Sequence, residues 1–337
     1  MKVPEKPANE NERLRALEMS GMLYTPTEAR FDRIVRLATK VFNVRTAVIS
    51  LVAENCQWFK ATEGLATKET PRQVSFCGHA ILSDDVFVVP DTLNDPRFFD
   101  NPLVTGSPFI RFYAGQPIFS QDGLKLGTLC LINPYPRRFS EEDKDALRDM
   151  AVWVENEMNA PKLGSSQLSL IETKTSEERK VLIDPVTSSW NKDGMKELLA
   201  REIRAHEESK SSFSVLVCEC AMSLQKLPLE AGDTNVVLQE ILRRLKNHAR
   251  PVDIIGRIDD GIFMIVFPQH DQLRIEILRE KLRASLLERP IIIGEHACGI
   301  DIGFSLEIYI PGSGLDAQGL LEGALAHLKQ RDNSSQT

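Results

Sequence analysis

Residues 250–263 read RPVDIIGRIDDGIF. The strongly apolar segments at 213–217 and 263–267 have the composition of buried strands. Asp259, Asp260 and Gly261 therefore form a tight turn between the strand they close and the strand that Phe263 opens. A polar turn between apolar strands gives the stretch the layout of a β-hairpin, and the chemistry left in that turn bears directly on function.

Working outward, the chain of 337 residues is long enough for two domains of ordinary size, each with its own core. Hydrophobic residues make up 42% and charged residues 26%, the balance of a soluble globular protein. The formal net charge of -7, with basic residues dispersed, argues against a general nucleic-acid binder. The six cysteines, at 56, 77, 130, 218, 220 and 298, follow no disulfide or zinc-finger spacing, which suits a reducing compartment. Residues 1–12 are charged and lack the apolar core of a signal peptide, and no apolar run approaches the roughly 20 residues of a membrane span. A cytoplasmic protein is expected.

In the first half, residues 10–19 read as a helix, and Thr25, Pro26, Thr27 and Glu28 form a capping pattern that predicts a second helix starting there. Phe31, Ile34, Leu37, Ala38, Val41 and Phe42 recur at helical spacing. Segments 46–52, 57–61, 86–89, 112–118 and 126–132 are β-branched or aromatic, which predicts an antiparallel sheet. Residues 91–108, rich in Pro, Asn, Asp and Gly, read as a long ordered loop over one sheet face. A second capping pattern at Ser140 opens a helix over 140–158 with Leu147, Met150, Ala151, Val154 and Met158 on one stripe. Pro161, Gly164 and two serines break the chain before a charged helical pattern resumes over 168–181.

The segments TPTEARFDRI, ISLVAENCQWFKATEGL, ETPRQVSFCGHAIL, VVPDTLNDPRFFDNPLVTG, IRFYAGQPI and LGTLCLIN resemble a GAF domain over nearly all of residues 10–158. The resemblance implies a sensor or dimerising module and leaves its ligand open. Trp58, Phe59, Arg111 and Tyr113 are candidates for a pocket lining, together with Cys77 and His79. Cys77 and His79 can be read as metal ligands or as packed, hydrogen-bonded residues, and two ligands without a third fall short of a zinc site.

The second half opens with DPVTSSWNK at 184–192, similar to the DPLTGLWNR opening of GGDEF domains, the diguanylate cyclase module. Asp184, Thr187, Asn191, Arg250, Asp253, Arg257, Phe263, Gly303 and Lys329 match that family in register. Its chemistry is phosphoryl transfer between two GTP molecules, with carboxylates holding magnesium. By the resemblance, the first-strand aspartates fall on Cys218 and Cys220, and the signature falls on Asp259, Asp260, Gly261, Ile262 and Phe263. Asp259 and Asp260 then replace the signature glycines, Gly261 replaces an acid, and the guanine-reading residues fall on Lys226 and Asn235. Glu219 faces away from its two cysteine neighbours by strand alternation.

Arg250 and Asp253 match the RxxD inhibitory motif at which active cyclases bind cyclic di-GMP, and Lys281 occupies the position of a supporting arginine. An Arg fork can pair with phosphate or a guanine edge, and a carboxylate can orient the base. The competing reading is a solvated arginine beside an aspartate that caps the next strand.

The expectation is an α/β protein of α+β type, with a GAF domain over 1–159, a helical linker over 160–183 and a degenerate GGDEF domain over 184–337. Each domain carries a mainly antiparallel sheet flanked by helices. Its role is that of a non-catalytic regulator, without cofactor or metal, in the cyclic di-GMP network. It acts either as a receptor for that nucleotide or as an interaction module for a protein partner such as an active cyclase or phosphodiesterase. Homodimerisation is implied by the resemblance.

Overall fold

The computed structural model describes residues 1–159, 163–224, 231–287, 290–293 and 296–334. They form two antiparallel sheets flanked by helices, in two compact units, Met1–Pro161 and Lys162–Thr337.

The first unit runs α1 (Glu10–Met19), α2 (Ala29–Val41), β1 (Thr46–Val52), β2 (Cys56–Glu63), β3 (Glu69–Pro71), α3 (Phe76–Ala80), β4 (Phe87–Val89), α4 (Pro102–Thr105), β5 (Phe112–Phe119), β6 (Lys125–Asn133) and α5 (Glu141–Asn159). Its sheet has the order β3-β2-β1-β6-β5-β4, with every pair antiparallel. Alternation splits the core. Ile49, Leu51, Leu129 and Leu131 pack with Phe31, Ile34, Leu147 and Val154 of α2 and α5. Val48, Val52, Phe59, Tyr113 and Cys130 pack instead with Phe76, Cys77 and Phe98 around α3 and the 91–108 segment.

The expected start of α2 is corrected. The helix begins at Ala29, with Glu28 still extended. Thr25 does not cap it, because its hydroxyl donates to Met22 O at 2.8 Å and accepts from Lys60 Nζ at 2.8 Å. The pattern at Ser140 does act as a capping box: Asp143 N donates to Ser140 Oγ, and Ser140 N donates to Asp143 Oδ2, both at 3.1 Å.

The second unit runs α6 (Ser165–Thr173), α7 (Ser176–Lys180), α8 (Lys192–Ser209), β7 (Phe213–Leu224), α9 (Ala231–His248), β8 (Ile254–Asp259), β9 (Ile262–Phe267), α10 (Gln272–Leu287), β10 (Ile291–Ile293), β11 (His296–Tyr309) and α11 (Ala317–Ser334). The sheet order is β10-β11-β7-β9-β8, again antiparallel throughout. Leu216, Cys218 and Cys220 face α9 and α10, whereas Val215 and Val217 face α8 and α11.

The helical pattern expected over 168–181 forms two helices. Lys174 is extended, and Thr175 with Glu178 makes a capping box that starts a new helix. Leu170 of the first is buried in one cluster with Leu198 and Leu199 of α8, within its own unit, whereas Leu168 is exposed.

Candidate functional site

The hairpin of the second unit is the first candidate site. Asp260 and Gly261 turn the chain between β8 and β9, and Gly261 has φ +67°. Its carbonyl accepts from Cys220 N at 2.8 Å, and a Cβ built on it would lie 2.7 Å from Cys220 O. Both the left-handed backbone and this approach require glycine. Asp259 and Asp260 are exposed at the tip. Arg257, one turn of chain earlier, donates to Asp184 Oδ2 at 3.1 Å and to Asp260 Oδ1 at 2.6 Å. Asp184 in turn accepts from Thr187 N and Oγ1, both at 2.7 Å. The hairpin arginine is thus clamped between Asp184, at the opening of the unit, and an aspartate of its own turn.

On the neighbouring strand, Cys218 and Cys220 are buried, and Glu219 between them is half-buried with its backbone opposite Gly303. Burial pushes the Cys218 thiol well above its ordinary range. Burial, helped by the charge of Glu219, pushes Cys220 up to about 12. Both sulfurs are neutral thiols at physiological pH. Among the described residues no three His, Cys, Asp or Glu side chains cluster as metal donors. Lys226 lies outside the described residues, and Asn235 is exposed on α9.

The second candidate is the turn at 250–253. Asp253 is buried, with 6% of its surface exposed. Its Oδ2 accepts from Arg250 N at 2.7 Å and is ion-paired with Arg274. Burial raises the Asp253 pKa, against the pull of Arg274 and of the Arg250 amide. Arg274 lies on α10 with its guanidinium 5.3 Å from the Phe267 ring centre. Nothing local in the chain points to this partner, since 21 residues separate it from Asp253. Arg250 is exposed, and its side chain makes no hydrogen bond or ion pair among the described residues. Lys281 is exposed on α10, close enough to His248 at the end of α9 to add to the burial that lowers the His248 pKa. The turn therefore gathers Arg250 and Arg274 around a carboxylate that is already spoken for, with Lys281 beside the end of the preceding helix.

In the first unit the proposed lining divides. Phe59, Cys77 and Tyr113 share one core, and His79 stacks edge-on against Phe98 beside it, at 4.9 Å. Trp58 points to the opposite sheet face and packs against Tyr24 with ring centres 5.6 Å apart. Strand alternation separates the two aromatics. Arg111 donates to the carbonyls of Val104 and Ile110 at 2.9 and 3.2 Å, so it braces the 91–108 segment. His79 Nε2 is 3.0 Å from Lys2 O, and burial lowers its pKa. Cys77 Sγ has Tyr113 Oη at 3.3 Å and Cys130 Sγ at 3.8 Å.

These features define a two-unit α/β protein whose second unit carries a β-hairpin built around a left-handed glycine. Comparison with known families places it. Residues 26–158 match the GAF domain, and residues 181–336 match the diguanylate cyclase GGDEF domain. The chain thus carries a GAF domain followed by a GGDEF domain.

A curated relative, named cyclic di-GMP phosphodiesterase PA2567, from Pseudomonas aeruginosa, is 44% identical over 137 residues. That match takes in 41% of this chain and 23% of the relative, so the chain spans under a quarter of that protein's length. Among solved structures, the diguanylate cyclase SiaD of Pseudomonas aeruginosa, in complex with its activator SiaC, is similar at 18% identity and TM-score 0.43, covering 58% of this chain and 68% of that one. The GGDEF domain of DgcB from Caulobacter crescentus, in complex with c-di-GMP, is similar at 16% identity and TM-score 0.37, covering 46% of this chain and 89% of that one. No helix among the described residues is long and apolar enough to cross a membrane.

Proposed function

We propose that this protein is a regulator in cyclic di-GMP signalling that does not make the nucleotide and that senses it at the turn carrying Arg250. The observation that carries the non-catalytic half is the packing of Gly261 against Cys220 O, which leaves no space for an acidic side chain at that hairpin position. Magnesium takes hard oxygen ligands. Buried neutral thiols at 218 and 220 do not fit that ion, and Glu219 belongs to the other sheet face. No magnesium-dependent step is assigned to the chain. Incubation with GTP and magnesium is expected to give no cyclic di-GMP above a protein-free blank, and clear turnover would overturn this half of the reading.

The sensing half rests on Arg250, an exposed guanidinium with no hydrogen-bond partner among the described residues, beside the partly exposed Arg274. Guanidinium forks are suited to a phosphodiester or a guanine edge. Asp253 acts as the brace that holds the turn, and Lys281 contributes positive charge without a fork. Calorimetric titration with cyclic di-GMP is expected to give saturable binding with Kd below about 50 µM, about 6 kcal/mol of binding free energy. Arg250→Ala should abolish the heat. A flat titration of the unmodified chain would remove the sensing role.

A second reading is favoured by one observation: the Asp253 carboxylate is already committed to Arg274 and to the Arg250 amide. In that case the unit serves as a nucleotide-independent module that binds a cyclase or phosphodiesterase. Stoichiometric co-purification of such an enzyme, with its activity altered and no heat from cyclic di-GMP, would select this reading.

A further inference from the structure

In the first unit, side chains from α3, β1, β5 and β6 converge on one sulfur. Cys77, on α3, lies 3.8 Å from Cys130 Sγ on β6, and Tyr113 Oη on β5 donates to Cys77 Sγ at 3.3 Å. Ser50 on β1 and Thr128 on β6 face each other in the strand register. Both hydroxyls are fully buried, and neither makes a conventional hydrogen bond among the described residues. Buried hydroxyls without a partner cost about 1–3 kcal/mol each. A negatively charged sulfur in their midst would satisfy them.

We infer that Cys77 and Cys130 form a peroxide-sensitive thiol pair, which a two-electron oxidant converts into a disulfide tying α3 to β6. The inference is independent of the function proposed for the second unit. Burial works against the thiolate, but Cys130, the hydroxyls of Thr128 and Ser50 around the sulfur, and the Tyr113 hydroxyl together outweigh it and hold Cys77 at about 6. The hydrogen bond to Cys77, with burial, pushes Cys130 well above its ordinary range. The two sulfurs thus divide into a nucleophile and a protonated resolving thiol.

The Cys77 thiolate attacks one oxygen of hydrogen peroxide, the O–O bond breaks, and hydroxide leaves with one proton to become water, which gives Cys77 sulfenic acid. Cys130 then attacks the Cys77 sulfur, the S–O bond breaks, and the departing hydroxide takes the Cys130 proton as a second water. Two thiols lose two electrons and peroxide gains them. The sulfurs close from 3.8 Å to about 2.05 Å, which draws α3 onto β6.

The setting selects a small neutral oxidant. Cys77 is buried, and residues 2–4 lie across α3: Lys2 N donates to Arg97 O at 2.9 Å, Lys2 O meets His79, and the Pro4 ring lies over Gly78. A bulky disulfide such as oxidised glutathione is excluded from that sulfur while those residues remain in place.

The test treats the full chain with hydrogen peroxide, alkylates free thiols, and maps non-reduced peptides by mass spectrometry. A Cys77–Cys130 linkage lighter by two hydrogens and reversed by dithiothreitol is expected, forming at least about tenfold faster than any oxidation of Cys218 or Cys220. In Cys130→Ser, a sulfenic-acid probe should label Cys77. Tyr113→Phe, or Ser50→Ala if that variant does not fold, should slow linkage at neutral pH by about threefold or more, since the first removes the hydroxyl that donates to Cys77 and the second a buried hydroxyl available to the thiolate. The inference fails if all buried cysteines oxidise at one slow rate. It fails equally if Cys77 advances to sulfinic acid without linkage in the unmodified chain, or if both donor variants oxidise as fast as the parent.

Discussion

Each sheet of this protein holds a pair of buried cysteines on or against a central strand, and the pairs differ in their neighbours. Cys77 and Cys130 lie among the hydroxyls of Ser50, Tyr113 and Thr128. Cys218 stands between Phe263 and Phe304 on the adjacent strands, and Cys220 stands opposite Ile302. Burial is the same, and the proton affinities diverge: one sulfur of the first pair is drawn down, and both of the second are pushed up. What separates a reactive thiol from a packing atom here is the count of donors within reach, because burial alone always favours the neutral form. The same residue type therefore carries redox chemistry in one unit and fills the core in the other.

The sharpest way to break this comparison is to place a charge in the pair that has only apolar neighbours across the strands. Cys218→Asp would set a carboxylate between two phenyl rings with no donor to satisfy it. A loss of about 3–5 kcal/mol in urea unfolding is expected for the second unit. Cys130→Ser, in the hydroxyl-rich pair, should cost about 1 kcal/mol or less, because the new hydroxyl finds partners there. Equal losses for the two variants would show that donors around Cys77 do not govern the site.

Next in size is Gly261→Ala. The substitution places a Cβ against Cys220 O and holds a non-glycine residue at positive φ. It should destabilise the second unit by about 1–3 kcal/mol, read from the urea midpoint at unchanged slope. A neutral result would mean that β7 yields easily at this position, and the argument against an acidic residue there would lose its force.

Much of this was legible in the chain itself. The first unit's strands of seven or more residues announced themselves through their β-branched and aromatic character, as did α5 through its Ser140 cap. Short β3, with two half-buried residues and an exposed Pro71, carries no pattern to find. Thr25 misled because a hydroxyl before an apolar helix looks like a cap whatever it actually bonds, and its partner Lys60 is distant in sequence. The separation of Trp58 from Phe59 was available from strand alternation alone. The Arg274–Asp253 pair was not, since nothing local in either segment points to the other. Sites built from one element were readable, and those closed by a tertiary partner were not.

The smallest effect tests the carboxylates in the same terms as the thiols. Asp253 is held up by burial despite Arg274, whereas Glu10 in the first unit, opposed by burial, is nevertheless brought down to about 2 by the guanidiniums of Arg13 and Arg72. The signs follow by linkage. Folded Asp253 binds its proton more tightly than the unfolded chain does, so its contribution is present below the ordinary carboxylate pKa and is lost as pH rises through the raised value. Folded Glu10 binds its proton less tightly, so its contribution is present above the ordinary carboxylate pKa and is lost as pH falls toward about 2. Relative to Asp253→Asn, the parent second unit should therefore lose stability as pH rises from about 4 to 7, and relative to Glu10→Gln the parent first unit should gain it as pH rises from about 2 to 5. Urea unfolding across those ranges measures both slopes, with the second unit followed by Trp190 in a Trp58→Phe, Trp153→Phe background and the first by Trp58 and Trp153 in a Trp190→Phe background. A rising slope for Asp253 would mean that Arg274 outweighs burial and keeps the carboxylate charged, which would return Asp253 to the ligand-binding side of the turn rather than to its scaffold.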